Sequence, residues 1–443
     1  MALIHDHSCE CVKTELDLFT VPPTQTSIEK GRWEEVNPLA HIIESGPIEF
    51  VVPGTGDEYI DLASCLLYVK AKITNADGSN LLADAPVGPV NLWLHSLFSQ
   101  IDVYINGKMV SNPSPTYPYR ALLETILTYG IDAKSTQLGA SLYAKDTASN
   151  MDVVNPLATD EDGANAGLRI RHNYTSGSKI VDMIGPIHSD MFSQSKYMMN
   201  GIELRLKLNR SKSQFCLVSP AVNSAFKAVI PDATFLVRKV KISPSVQLAH
   251  AEALNHGPAK YPIQRSITKV ISIPGGTMSL NKDHIFLGQL PKRVVVGLVD
   301  NDAFNGSYDK NPFNFKNYGM TSIVLSVGGE QVPSKPLKLD FNEAGPSSVM
   351  GYYSLFQGTN KMHRDEGNTI SRTQYNHGYT LFAFDLTPDL SANDAHLNLV
   401  QEGNLGIEIQ FAQALDNTVN VLVYGELDNI IEIDRDRNVM FDF

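Results

Sequence analysis

The chain has 443 residues, four cysteines, and 36 Lys and Arg against 48 Asp and Glu, for a formal net charge of −12. That length admits two or three domains of roughly 100–200 residues, and the acidic balance argues against a protein whose main task is to hold polyanionic nucleic acid. No apolar run approaches the ~20 residues needed to cross a bilayer, and with no basic-then-apolar leader and no paired cysteine spacing we expect folding in a reducing compartment, without a disulfide framework.

At the amino terminus, His5, His7, Cys9 and Cys11 place zinc-type ligands at alternate positions. Zinc needs its donors to converge on a tetrahedron, whereas alternate residues of a strand stand roughly 6–7 Å apart and those of a helix diverge. Cys65 and Cys216 add no second pair. These four residues are therefore candidate metal ligands only between chains, and no cofactor is expected.

Residues 1–40 carry Val21-Pro22-Pro23, Trp33 and Pro38 with little periodicity, and read as an extended arm. From Ile48 the chain becomes short apolar runs cut by turns, at 48–53, 66–73 and 101–110. The last surrounds Asn106-Gly107, a pair that accepts positive φ in a tight hairpin. Further strands are expected at 178–184, 201–208 and 233–242. Helices are expected at 119–129, where Leu122, Leu123, Ile126 and Leu127 form a stripe, and at 245–254, before Gly257-Pro258.

A second series of strands follows at 267–273, 293–299, 321–327, 379–384, 405–411, 419–424 and 429–433. The expected order is an arm at 1–40, a first β-sandwich at 41–244, a helix and linker at 245–262, and a second sandwich at 263–443. Three long polar segments, 130–173, 300–319 and 341–377, read as loops that carry function or interaction. Within the second, Phe304, Phe313, Phe315 and Tyr318 make the most adhesive stretch, expected to contact another subunit as aromatics do at interfaces. The tail 432–437 reads as a solvated end or a contact with a neighbour.

Motifs for catalysis are missing. There is no Gly-x-Ser-x-Gly, His-Glu-x-x-His, Walker loop or Gly-x-Gly-x-x-Gly. The acidic run at Asp300 departs from a calcium loop, because Phe304 takes the fifth position and Gly306 falls one place late. Asp57-Glu58 and Asp160-Glu161-Asp162 lie among loop residues and select no carboxylate dyad. The basic stretches 205–212 and 238–241 alternate charged with apolar residues, as a solvated strand face does.

The order of several segments resembles the double jelly-roll major capsid proteins, in particular those of Polinton/Maverick elements and adintoviruses, which are similar in build to virophage and large DNA virus capsid proteins. The segments are 48–62, opening Ile48-Glu49-Phe50-Val51-Val52-Pro53-Gly54; 87–100, with Asn91-Leu92-Trp93-Leu94-His95; and 117–125, opening Tyr117-Pro118-Tyr119-Arg120. The likeness extends to 9–28, to Gly288-Gln289-Leu290-Pro291-Lys292-Arg293-Val294 and to Asn311-Pro312-Phe313.

The resemblance implies an all-β chain of two consecutive eight-stranded jelly-roll sandwiches with a few short helices in loops. It implies a non-enzymatic major capsid protein, a homotrimer of pseudo-hexameric outline that tiles an icosahedral shell around double-stranded DNA, in a virion assembled in the cytoplasm or nucleus of a host cell. The implied partners are further copies, penton proteins and minor capsid proteins; DNA would be enclosed without sequence-specific binding. Val21, Pro22, Pro23 and Trp33 of the arm are the expected contacts with neighbours. Two other readings are a minor or domesticated shell protein and a two-domain β-sandwich enzyme acting on carbohydrate.

Overall fold

A computed structural model describes residues 7, 8, 11–44, 46–159, 163–221, 225–341 and 348–441. The first half supplies strands β1 (Ile28–Val36), β2 (Ile48–Val52), β3 (Tyr59–Asn75), β4 (Phe98–Ile105), β5 (Lys108–Met109), β6 (Val181–Pro186), β7 (Leu204–Arg210) and β8 (Phe226–Ile242). The second supplies β9 (Ala259–Ile273), β10 (Ser279–Gln289), β11 (Arg293–Asp300), β12 (Met320–Val327), β13 (Glu330–Lys338), β14 (Leu381–Asp385), β15 (Glu402–Phe411) and β16 (Val419–Ile433). Four helices recur below: α1 (Tyr117–Thr128), α2 (Ala166–Thr175), α3 (Pro244–Ala253) and α4 (Val349–Gly358).

The strands pair antiparallel in the orders β1-β8-β3-β6 and β2-β7-β4-β5, then β9-β16-β11-β14 and β10-β15-β12-β13. Adding eight to each label of the first two sheets generates the other two. Each half is thus a jelly roll with the same winding, and the chain is a double jelly roll. Val439–Met440 pairs antiparallel with the end of β16, and Gly88–Pro89 pairs with Leu217–Val218.

The first sandwich follows from period-two patterning. Along β3, Leu67, Val69, Ala71 and Ile73 are buried while Tyr68, Lys70 and Lys72 between them are not. β8 alternates likewise, and its Phe235 meets Phe50 and Phe192 in the core at 6.0 and 6.1 Å. The β4–β5 hairpin turns on Asn106 and Gly107, at φ 47° and 78°, the left-handed pair that a tight hairpin demands.

The sheet β9-β16-β11-β14 is built differently. β11 is buried from Arg293 to Val299, β14 from Leu381 to Phe384 and β16 from Val419 to Leu427. Strands buried on both faces read as continuous apolar runs, as Val294-Val295-Val296 and Val421-Leu422-Val423 do.

The cover comes from two segments whose sequence suggests loops: 300–319, with the helix Asn301–Asn305 and with Phe315 over Gly297, and 341–377, with α4 against β14. Both turn inward because the sheet's outer face has to be shielded from water. Residues 130–173 include Ile131–Ser135, Gln137–Ser141 and the start of α2, which packs on Gly88–Pro89 in the first half. Helix α4 lies so close to β14 that a Cβ on Gly358 would stand 2.5 Å from the Ala383 carbonyl. Gly358→Ala should therefore destabilise the protein by about 1–3 kcal/mol, read as a lowered urea midpoint at unchanged slope.

Candidate functional site

The richest concentration of charged and aromatic groups lies in the seam between the two sandwiches, organised by α1. Its Tyr117, Tyr119, Leu122, Leu123, Ile126 and Leu127 are buried, so its polar residues are carried inside with them. Arg120 donates from Nε to Glu124 Oε1 at 2.7 Å and from a terminal nitrogen to Asp190 Oδ1 at 2.6 Å. His188 Nδ1 lies 2.6 Å from Glu124 Oε2.

The second half completes these groups. Tyr424 on β16 donates to Glu124 Oε1 at 3.1 Å, and the backbone N–H of Ser266 on β9 donates to Asp190 at 3.2 Å. Burial would raise the Glu124 carboxyl, but Arg120 and His188 outweigh it and bring it down to about 2. His95, wholly buried with its ring edge-on to His188 at 4.7 Å, is lowered well below its ordinary value by burial and then by that neighbour.

A second polar knot surrounds Asp146. It accepts from Arg171 at 2.6 Å, from Asn165 at 3.0 Å and, across the seam, from Asn311 at 3.1 Å, while its carbonyl accepts from Tyr379 at 2.8 Å. Lys134 donates to the carbonyls of Ile126 and Asn368 at 2.8 and 2.7 Å and to Thr369 Oγ1 at 3.0 Å. Lys145 donates to the Thr369 carbonyl and, at 2.6 Å, to Gln374. No carboxylate contacts either ammonium among these bonds, and burial lowers Lys134 to about 7 and Lys145 to about 8.

The aromatic stretch expected to face another subunit is internal. Phe313 and Phe315 are buried, the latter packed over Gly297, where a Cβ would meet its ring at 2.7 Å. Tyr119 stacks on Phe304 at 5.5 Å and meets Phe313 and Phe215 edge-on at 5.7 and 5.8 Å. Tyr318 is largely inside, with its hydroxyl buried. Their anchoring role is therefore between the two halves of one chain. The acidic Asp300 and Asp302 each lie 3.0 Å from the Lys310 ammonium.

Trp33 also differs from expectation, since it stands half-exposed on edge strand β1, beside the Arg238 guanidinium, and not in a free arm. Val21, Pro22 and Pro23 are exposed, as are Leu16, Leu18 and Phe19 before them. The tail docks within the chain: Arg437 donates to the Asn200 carbonyl at 2.8 Å, its own carbonyl accepts from Asn106, and Lys108 lies over the Phe441 ring at 4.2 Å.

Of the amino-terminal ligand set, His5 and Cys9 lie outside the described residues, as do the carboxylates at 160–162; Cys11 is exposed. Among the described residues no group of three or more His, Cys, Asp and Glu is arranged to hold a metal, and no helix is long and apolar enough to cross a membrane. A cavity of about 260 Å³ at the seam is lined by the carboxylates Glu124, Glu366 and Glu426. Glu124 and Glu426 are committed to ion pairs, Glu124 as above and Glu426 with Arg293 at 2.8 Å. These ion pairs join the two halves of the chain.

No family model matches the sequence. An uncharacterized protein of Caenorhabditis elegans is 26% identical over 436 residues, covering 95% of this chain and 99% of that one. Among solved structures, a chain of the Sputnik virophage matches at TM-score 0.65 and 11% identity over 100% of this chain and 94% of its own. The Faustovirus major capsid protein matches at 0.54 and 9% over 95% and 93%, and the mavirus major capsid protein at 0.51 and 13% over 100% and 97%. At such identities the likeness establishes a shared double jelly-roll fold from end to end.

Two tests probe the seam. Glu124→Ala leaves Arg120 with Asp190 alone and takes the carboxylate from His188, and should cost about 3–5 kcal/mol in equilibrium denaturation. Ionised Glu124 contributes stability that is full above its ordinary value of 4.5 and is lost as pH falls toward 2, about 3 kcal/mol in all. Lys134 should add a separate rise in stability between pH 7 and 10.5, where the unfolded chain holds a proton that the folded chain has released. Lys134→Met should remove that rise from the pH profile of the unfolding midpoint.

Proposed function

We propose that this protein is a major capsid protein that trimerises into pseudo-hexameric capsomers and tiles a closed icosahedral shell around double-stranded DNA, without catalysis. The observation that carries the proposal is the repetition of one strand order in both halves, locked by a buried seam. Three such chains around an axis present six similar sandwiches, and a near-hexagonal unit tiles a surface. The viral chains of like fold are matched over nearly their full lengths, which supports this use of the fold beyond its architecture.

In this reading the units are the arm at 1–40, of which 28–36 also serve as an edge strand, the sandwiches at 41–244 and 263–443, and the linker at 245–262. The partners are further copies, penton and minor capsid proteins; Val21, Pro22, Pro23 and Trp33 contact neighbours. A net charge of −12 suits a wall that encloses DNA and leaves its neutralisation to cations or other proteins. The particle forms inside the host cell. The nematode relative favours a second reading in the same class, a capsid protein carried in an animal genome as part of an integrated element or as a domesticated copy.

Light scattering coupled to size exclusion tests the proposal. The expected mass is three times the 48.7 kDa of one chain, with a hexagonal outline or closed shells in negative stain. A monomer at every concentration would overturn it, and trimers that never close into shells would favour the domesticated copy.

A further inference from the structure

A cavity of about 780 Å³ forms an apolar groove beneath the linker helix α3, walled by Tyr59, Met199, Ile242, Val246, Leu254 and Tyr261. Its roof is anomalous, because α3 buries none of its ten residues and leaves Leu248 largely exposed. A helix this short is marginal in water unless an apolar face is covered. Val246 and Leu254 of the roof are only partly buried against the core, which leaves an apolar face that a further segment could cover.

The lining residues Lys196, His250, His256 and Lys260 bring positive or protonatable groups, and no Asp or Glu lines the groove, although Lys260 also faces Glu432 at 3.8 Å. A segment of complementary character lies in the arm: Thr14-Glu15-Leu16-Asp17-Leu18-Phe19 alternates carboxylates with apolar side chains. Leu16, Leu18 and Phe19 are 70%, 76% and 95% exposed. Thr14–Leu16 form a single 3-10 turn; drawn out, the segment would direct Leu16 and Leu18 to one face and Glu15, Asp17 and Phe19 to the other. Single exposed apolar residues are ordinary, but a contiguous group of them on a charged peptide marks a binding segment.

We infer that the groove beneath α3 receives residues 14–21 of the arm of a second copy, with Leu16 and Leu18 buried against Val246, Leu254 and Tyr261, the two carboxylates facing Lys196 and Lys260, and Phe19 beside them at the rim. A second copy is favoured over the chain's own arm by Val21-Pro22-Pro23. Prolines fix φ and hold the preceding residue extended, so Val21-Pro22-Pro23 stiffens the arm against doubling straight back into the groove that Ile28 helps line. Ile28 lies nine positions beyond Phe19, an extended reach of about 30 Å, enough to enter an adjacent molecule. The inference deepens the capsid reading by naming where the arm lodges, and rests on the association of copies that it assumes.

The test uses the full chain with the photocrosslinker p-benzoylphenylalanine in place of Phe19, mixed with nitrogen-15-labelled chain carrying the native residue. Irradiation should join residue 19 of one isotopic form to peptides spanning 244–261 of the other, and Ala253→Trp, which fills the groove, should cut that product at least about tenfold. Crosslinks confined to one isotopic form would overturn the choice of a second copy. Trimers or shells of normal mass without crosslinks to 244–261 would overturn the groove while leaving the capsid reading intact, and a chain that neither associates nor crosslinks would overturn both.

Discussion

The sheet β9-β16-β11-β14 is apolar on both faces, and much of the remaining structure is a response to that. One face packs against β10-β15-β12-β13 as in any sandwich. The other would meet water along β11, β14 and the first nine residues of β16, were it not covered by α4, by Phe315 and its neighbours, and by α1 from the other half. Covering it draws together segments nearly three hundred residues apart in sequence, and so makes one body of two sandwiches that share a winding and could each have closed separately.

Bringing α1 into the seam forces Arg120 and Glu124 inside with its apolar stripe. Buried charges are tolerated only with partners, and each partner adds a geometrical condition: Asp190 and His188 from the first half, Tyr424 and Ser266 from the second. The Asp146 knot does the same with Arg171, Asn311 and Tyr379. Hydrophobic burial holds the halves together, and these directional bonds fix their relative placement. The proposed shell role depends on that placement, because an error of a few degrees between the sandwiches would be repeated at every contact around a closed surface.

How much of this was legible in the sequence depended on range. Strands with strict alternation, the Asn106-Gly107 turn, and the helices at 117–128 and 244–253 are local patterns, and the chain displays them. Strand β1 was hidden, because Glu29-Lys30-Gly31-Arg32 has little β character; the register with β8 and the Arg238 contact to Trp33 hold it in place. Phe313 and Phe315 were misread for a related reason. Their polar surroundings suggest a surface loop, yet Asn311 and Asn314 spend their amides on Asp146 and Asp152. The signal that could have corrected the reading lay elsewhere, in the unbroken apolar runs of β11 and β16, which announce a second face in need of cover. Nothing in the spacing of Lys134, Lys145 or Arg171 marks them as buried.

The docking of the tail onto the β4–β5 hairpin has a consequence for the order of events in synthesis. Residues 437–441 reach back to Asn200, Asn106 and Lys108 in the first sandwich. A ribosome makes Arg437 331 positions after the Asn106 it meets, so a nascent chain can fold its first jelly roll early yet cannot form the clasp until the second has been synthesised. Chains that stop short of Arg437 lack this closure, and the hairpin of the first sandwich waits for a partner that only the second half supplies.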